Sequence, residues 1–295
     1  MRINQDWKDA FTHLRLHFSM LLMPVFLFAL SQTESYDPMQ ALLTFTILHI
    51  LIYPASNLYN SFNDNDTGSV GGIKNPPPSN RKMLLLANII DITAVILGLF
   101  NNYKLAVFLL MYIVASRLYS NRRIRLKRYP VIGFLVIFIF QGAFTFYISE
   151  YGSTHIIENC SGTWKPLVSL KIIAMLATSF QIGAIYPLTQ IYQHQSDLTD
   201  GVTTLSYKLG YRGTFIFAGI MFGIATLFYY LHFKETDINS FYLFTVVQIP
   251  IIGYFVYWAR KVWQDTTYAD YKHTMYMNVI AAVILNLFFL YLVLT

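Results

Sequence analysis

Apolar residues occur along the chain in nine long runs that are separated by shorter polar stretches. Most of these runs approach the roughly 20 residues that a helix needs to cross the hydrocarbon core of a membrane. They fall at 17–31, 39–59, 83–100, 104–118, 131–148, 167–189, 213–231, 240–258 and 274–294. We therefore predict an all-α, polytopic membrane protein with nine transmembrane helices in one bundle. A single domain then covers residues 1–295.

Composition supports this prediction. The chain is 55% hydrophobic and only 12% charged, whereas soluble domains carry about 25% charged residues. Its one cysteine, Cys160, excludes an internal disulfide and a metal site built from several cysteines. Residues 1–17 are polar, and no short apolar core with a cleavage site follows, so we expect no cleaved signal peptide. The basic residues behind the net charge of +6 lie mainly between the apolar runs, so this charge does not indicate nucleic-acid binding.

The basic residues predict how the bundle is oriented. If the N-terminus is cytoplasmic, 17 of the 21 Lys and Arg residues fall on the cytoplasmic side of a nine-helix bundle. Cytoplasmic loops carry an excess of these residues in membrane proteins. We therefore predict a multi-pass protein of the inner (plasma) membrane, with its N-terminus in the cytoplasm and its C-terminus outside.

A first polar helix end follows the second apolar run. Asn57, Asn60 and Asp64 are spaced by three and four residues, so they share one face of a helix. Asp66 and the glycines after it indicate a turn. Hard oxygen ligands at this place suit Mg²⁺, which shares its remaining coordination positions with a substrate phosphate. The structural alternative is an ordinary Asn/Asp cap and turn.

A second polar helix end closes the sixth apolar run, on the same predicted side. Gln190, Gln193 or His194, and Asp197 are again spaced by three or four residues along one helical face. Two such ends, four helices apart, suggest two related halves around a shared site.

A basic cluster lies between these two ends, with five cations at 122–128. Two interpretations remain open at this point. The cluster sets the topology or contacts anionic lipid, or it binds a diphosphate, whose oxygens arginine pairs bidentately.

These motifs, in this order, resemble those of the UbiA-type membrane prenyltransferase family over nearly the whole chain. The matching positions are Arg15 before the first helix and Pro24 inside it, Asn60 and Asp64, the group Tyr119, Arg123, Lys127 and Arg128, and finally Asp197, Gly201, Thr204 and Leu205.

The resemblance implies a Mg²⁺-dependent transferase. Such an enzyme moves a prenyl group from an isoprenyl diphosphate to an aromatic or lipid-like acceptor within the membrane. It implies Asp64 and Asp197 as catalytic residues, and Asp64, Asp66 and Asp197 as metal ligands. The residues that it implies for diphosphate binding are Arg15, Asn60, Arg123, Lys127, Arg128, Gln190 and Gln193.

The chain also departs from the family pattern. Gly68 stands where a further Asp is usual, and Gln190 and Gln193 stand where acids are usual. An amide oxygen can bind Mg²⁺ but brings no negative charge, so we expect the second metal site to be weaker. These departures suggest a divergent, bacterial branch of the family.

Two other functions fit the same features. The glutamines suit a non-catalytic member of the fold that binds lipid or assists assembly, and polar helix ends also line the ion paths of transporters. Asp91, inside the third apolar run, is costly in a membrane and should face the bundle interior. We expect it to make a structural hydrogen bond.

Overall fold

A computed structural model describes residues 2–65, 68–154 and 164–295. Among these residues, nine helices are long and apolar enough to cross a membrane, which confirms the predicted all-α bundle. They are α1 Gln5–Ser31, α2 Pro38–Asp64, α3 Arg81–Asn101, α4 Tyr103–Ser120, α5 Pro130–Ser153, α6 Leu170–Thr199, α7 Leu205–Glu235, α8 Ile238–Gln264 and α9 Tyr271–Leu294.

Polar side chains just before the apolar runs determine where several helices begin. The Asp37 carboxylate accepts a hydrogen bond from the backbone N–H of Gln40 (2.9 Å) at the start of α2. Asn80 caps α3 through the N–H of Lys82 (2.9 Å), and Asp270 caps α9 through the N–H of His273 (2.8 Å). Such caps satisfy N–H groups that have no partner within the helix.

Several helices extend further than the apolar runs predict, and α1 and α2 show why. The first run begins at 17, but α1 begins at Gln5 and includes most of an amphipathic stretch, Arg2–His13. The second run ends at 59, but α2 continues to Asp64. Hydropathy misses such extensions because polar residues of the outer face lower the average along the chain, whereas a helix needs only one apolar face to pack.

Local breaks interrupt several helices, some near the polar end of the bundle and others in mid-helix. Arg15 adopts a left-handed conformation (φ 51°) that interrupts α1. A short 3₁₀ turn, Ile191–Gln193, interrupts α6, and Gly210 breaks the start of α7 with φ 68°. Wide π-helical turns occur in α2 at Thr46–Ile52 and in α5 at Phe138–Phe144. Breaks of these kinds often mark functional sites, because they redirect side chains away from the regular helical array.

An aromatic cluster packs around Phe28 in α1. Its ring contacts Phe146 (5.4 Å between centroids), Tyr229 (5.0 Å) and Phe289 (5.0 Å). Large apolar side chains also face outward, including Ile92 of α3, which is 61% exposed. In a membrane-spanning bundle such side chains face lipid.

The chain path brings the polar helix ends together. Consecutive spans run in opposite directions, so α2, α4, α6 and α8 all end on the side where α1 begins. The described loop residues 68–80, 121–129 and 200–204 therefore meet at one end of the bundle.

Candidate functional site

A cavity of about 600 Å³ opens at this end and extends between the helices. Its mouth is polar and takes side chains from the starts or ends of α1, α2, α4 and α6. Its inner walls are mainly apolar and aromatic, with Val25, Tyr53, Ile137, Phe140 and Leu285 among the lining residues. One space thus joins a charged region to an apolar one.

The first polar helix end lies at the mouth. The Lys127 ammonium donates hydrogen bonds to the Asp64 carboxylate and to Asn60 Oδ1 (3.3 Å). Ser120 Oγ also donates to Asn60 Oδ1 (2.8 Å). The side chains of Asp64 and Lys127 are only 13% and 9% exposed. The predicted pairing of Asn60 and Asp64 on one helix face is therefore present, and a buried lysine joins them.

Arg125, which the sequence did not single out, connects the two halves of the mouth. Its guanidinium donates to Asp64 Oδ1 (3.1 Å), to the carboxylate of Asp200 and to the Asp200 carbonyl (2.9 Å). Burial by itself lowers the pKa of Arg125, but the hydrogen bonds and attraction from Asp200 and Asp64 outweigh it. The pKa is therefore raised above the ordinary arginine value, and the side chain stays charged.

Only part of the basic cluster faces the cavity. Arg122 and Lys127 are among the lining residues, and Arg122 lies 3.7 Å from Asp200. Arg123 and Arg128 are exposed and lie outside the lining of the cavity in the described chain. Arg128 instead stacks over the ring of Tyr129, 4.7 Å from its centroid. The structure therefore gives no support to diphosphate contacts from Arg123 and Arg128.

The backbone explains which cations turn inward. Arg125 has a left-handed conformation (φ 51°), and the chain reverses there between α4 and the 3₁₀ turn Leu126–Arg128. The reversal directs Arg125 and Lys127 toward α2. Helical spacing could not reveal this, because the cluster is not a continuous helix.

Arg15 lines the mouth from α1, as predicted. Its guanidinium donates to the Asn57 carbonyl (3.0 Å) and lies 3.5 Å from the Gly71 carbonyl. Gly71 sits so close to Phe18 that a Cβ atom there would lie 2.5 Å from the ring. The break in α1 thus holds the loop after Asp64 against the mouth.

The second polar helix end faces the same cavity, with Gln190, Gln193 and Asp197 all in its lining. Gln190 Nε2 donates to the Tyr186 hydroxyl (2.8 Å), which in turn hydrogen-bonds to the hydroxyl of Tyr119. Gln190 Oε1 is buried and has no hydrogen-bond partner among the described residues. This end therefore presents amide groups where the first end presents a carboxylate held by cations.

The predicted metal ligands are only partly placed. Asp64 and Asp197 line one cavity, whereas Asp66 lies outside the described residues. Within the described chain, no group of three or more His, Cys, Asp or Glu side chains is arranged to hold a metal ion. The oxygens of Asp64, Asp197 and Gln190 fit a hard cation such as Mg²⁺ if phosphate and water complete its shell.

Comparisons with known proteins identify the family to which this fold belongs. The model of the UbiA prenyltransferase family matches residues 21–292. A comparison with curated proteins finds no match. A solved structure of a UbiA homolog from Archaeoglobus fulgidus bound to GPP and Mg²⁺ is similar, with a TM-score of 0.68 and 15% identity, and the match covers 97% of this chain and 100% of that chain.

Two further solved structures share the fold. An apo UbiA homolog from Aeropyrum pernix K1 has a TM-score of 0.68 at 14% identity, and the match covers 93% of this chain and 97% of that one. A structure of digeranylgeranylglyceryl phosphate synthase has a TM-score of 0.63 at 17% identity, and the match covers 99% and 100% of the two chains. Because the family model covers nearly the whole bundle, including both polar helix ends, this chain belongs to the UbiA prenyltransferase family.

Proposed function

We propose that this protein transfers a prenyl group from an isoprenyl diphosphate to an aromatic or lipid-like acceptor within the membrane. The observation that carries the proposal is the single cavity that joins a charged mouth to apolar inner walls. An isoprenyl diphosphate has the same division, with a highly charged head and an apolar tail. Similar structures bound to GPP with Mg²⁺ and to DMAPP with Mg²⁺ support this choice of donor.

The mouth supplies the groups that bind the diphosphate. Lys127 and Arg15 line the mouth and bring fixed positive charge from two different elements, and the buried position of Lys127 strengthens its attraction for an anion. Arg125 pairs with Asp64 beside them and holds this carboxylate in place. Asn60, Gln190 and Gln193 add amide donors. In this arrangement Lys127 is already directed at the Asp64 carboxylate, so a small shift of its ammonium brings it to a phosphate oxygen.

Mg²⁺ is the metal that these residues would hold. Asp64 and Asp197 would be its ligands, with Gln190 Oε1 as a neutral oxygen and Asp66 as a further carboxylate. When bound, the ion neutralises charge on the leaving diphosphate. Because Asp64 also holds Lys127 and Arg125, this carboxylate sets the positions of both the fixed cations and the ion.

The inner walls determine what happens to the prenyl group. The allylic C–O bond breaks, and its electron pair leaves with the diphosphate. The remaining allylic cation then forms a bond to an acceptor carbon, which loses a proton. The aromatic faces of Tyr119 and Tyr186, which line the cavity below the mouth, can stabilise the cation. Apolar walls exclude the water that would otherwise trap it.

We also propose that the mouth faces the cytoplasm and that the protein lies in the inner (plasma) membrane. This orientation rests on the distribution of Lys and Arg. A periplasm-active reporter fused after Thr295 should be active. Activity of a cytoplasm-specific reporter at the same position would contradict the orientation.

One observation favours a second function. The second helix end carries Gln190 and Gln193 where the family pattern has acids, and a non-catalytic lipid-binding or assembly protein needs no second metal site. This alternative predicts binding of a prenyl lipid without turnover. A transporter has less support, because the charged groups gather at one end of the cavity rather than along a path through the bundle.

The test is diphosphate release by the purified protein in detergent, with geranyl diphosphate, Mg²⁺ and a membrane lipid extract as the acceptor source. The proposal predicts diphosphate release with matching transfer of labelled prenyl to lipid. Asp64→Asn should abolish both, and Arg128→Gln, which changes a cation outside the cavity, should leave both intact. Binding of geranyl diphosphate without release in the wild type would favour the non-catalytic function.

A further inference from the structure

A polar side chain interrupts the otherwise apolar face that α9 presents to the cavity. Met275, Asn278, Ala282 and Leu285 line the cavity, and their spacing of three and four residues places them on one helical stripe. Asn278 is the only amide of this stripe. It is only 4% exposed, so it is nearly sealed from solvent.

The Asn278 amide lacks internal partners. Among the described residues, neither its Oδ1 nor its Nδ2 has a hydrogen-bond partner. Other polar side chains of α9 have at least one partner: the Thr274 hydroxyl donates to the Asp270 carbonyl (2.9 Å), and Asn286 donates through Nδ2 to the Met20 carbonyl (3.3 Å), although its Oδ1 has no partner among the described residues. A buried amide without partners destabilises a fold, so this amide calls for a functional explanation.

The position of Asn278 separates it from the charged mouth. The ring of Tyr271, the first residue of α9, lies 5.3 Å from the ring of Tyr192 in α6, so the start of α9 is level with the mouth. Asn278 is seven residues further along the helix, which places it about 10 Å deeper. This level is below the groups proposed to hold the diphosphate and faces the region where the prenyl cation would form.

The polar side chains that line the cavity away from its mouth are neutral. They include Gln141 and Gln181 as well as Asn278, and Gln181 Oε1 accepts a hydrogen bond from the Tyr229 hydroxyl. The lining cations Arg15, Arg122 and Lys127 belong to the mouth. An amide in such surroundings can both donate to and accept from an uncharged hydroxyl or carbonyl, but it cannot compensate a buried carboxylate.

We propose that Asn278 is a specificity-determining residue that binds an uncharged hydroxyl or carbonyl of the prenyl acceptor, next to the carbon that receives the prenyl group. The inference rests on the proposed function and narrows its acceptor to molecules whose polar group is neutral. Binding of this group would satisfy the Asn278 amide and hold the acceptor beneath the diphosphate.

The test compares the binding of two probes that share one ring system, 1-naphthol and 1-naphthoate, by fluorescence with purified protein. Asn278→Leu removes the amide and keeps the volume similar, and Asn278→Ala removes it without adding bulk. Val279→Ile is the matched control, because it changes the next residue of α9, which is 50% exposed and lies outside the described lining of the cavity. Geranyl diphosphate binding with Mg²⁺ and the thermal unfolding midpoint are measured for every variant.

We expect both Asn278 variants to weaken 1-naphthol binding by about tenfold, as the loss of hydrogen bonds in a buried site should do. Val279→Ile should stay within about twofold of wild type, because an exposed side chain outside the cavity is changed. Wild type should bind 1-naphthoate more weakly than 1-naphthol. Geranyl diphosphate binding should be unchanged, which also shows that each variant is folded.

Three results would overturn the inference. In the first, wild type and both Asn278 variants bind 1-naphthol equally tightly. In the second, wild type binds 1-naphthoate as tightly as 1-naphthol. In the third, both Asn278 variants lose geranyl diphosphate binding. Failure of the proposed function is distinguishable, because it is the absence of diphosphate release in the wild type. If the wild type releases no diphosphate, the comparison of 1-naphthol with 1-naphthoate still tests whether Asn278 binds an uncharged polar group.

Discussion

The ends of α2 and α6 occupy equivalent places at the mouth of one cavity, yet they differ in charge. At the α2 end, the Asp64 carboxylate is held by Lys127 and Arg125, and Lys127 also reaches Asn60. At the α6 end, Gln190 donates to Tyr186 and keeps a buried oxygen without a described partner. Asp197 is the one carboxylate among the three residues predicted there.

The difference suggests a division of labour. Cations and a carboxylate at the α2 end can bind the diphosphate strongly and fix the metal. Amides at the α6 end can hydrogen-bond to it but contribute little charge. A site with two equal metal centres would need acids at both ends, so we infer that turnover depends more on the α2 end.

Among the cations of the mouth, the largest effect should follow the loss of Lys127. Lys127→Met removes a buried cation from Asp64 while keeping much of the side-chain length. We expect kcat/KM to fall by about 100-fold, because truncating one member of a buried charge pair costs 2–5 kcal/mol at comparable sites. The measurement is steady-state diphosphate release, with the unfolding midpoint recorded to separate loss of activity from loss of fold.

Arg123→Gln and Arg128→Gln are the matched controls for Lys127→Met. Both remove a cation from the same cluster, but their side chains are exposed and outside the described lining of the cavity. Kinetics within about twofold of wild type are expected, since surface charges contribute little. A loss in these variants comparable to that in Lys127→Met would contradict the placement of the diphosphate.

An intermediate effect is expected at Arg125, which links the two halves of the mouth. Arg125→Gln removes the bridge between Asp64 and Asp200. We expect kcat/KM to fall by about tenfold, because Lys127 still neutralises Asp64. A double-mutant cycle with Asp200→Asn measures the coupling of these two residues directly.

If Arg125 acts as this bridge, the double variant should be little worse than Arg125→Gln alone. Strictly additive losses in the cycle would mean that Arg125 and Asp200 act independently. The link between the two ends would then be structural only.

A smaller effect should come from restoring charge to the α6 end. Gln190→Glu adds a carboxylate beside Asp197, and added ligand charge tightens binding of a hard cation. The Mg²⁺ concentration for half-maximal activity should fall by about threefold or more, with Gln190→Leu as the uncharged control. An unchanged Mg²⁺ requirement in Gln190→Glu would show that this end does not approach the metal.

Much of the fold is contained in the pattern of apolar runs, because a membrane demands long apolar helices. The spacing of residues in the sequence also predicted that Asn60 and Asp64 share one helix face. It placed Gln190, Gln193 and Asp197 on another face, and these three residues line the same cavity. Asp91 has the structural partner that its burial required, because it forms an ion pair with Arg117. The arginine lies over the ring of Tyr59, 3.9 Å from its centroid.

The basic cluster shows what the sequence could not predict. Five cations within 122–128 look equivalent when only spacing is considered. Their directions depend on left-handed backbone at Arg125 and on contacts with Asp64 and Asp200, which are distant in the chain. Asn278 was missed for a related reason, because a single amide in an apolar helix gives no signal until the cavity beside it is known.

The most direct measurement is a Mg²⁺ titration of diphosphate release by wild type, Asp64→Asn and Asp197→Asn. Both substitutions keep the side-chain size and remove one negative charge. Asp64→Asn should lose activity by orders of magnitude, and added Mg²⁺ should not restore it, because the fixed cations lose their anchor as well. Asp197→Asn should lose less and recover in part at high Mg²⁺, as a weak site responds to concentration. Equal losses without recovery would contradict unequal helix ends, and full activity of Asp64→Asn would contradict the diphosphate site itself.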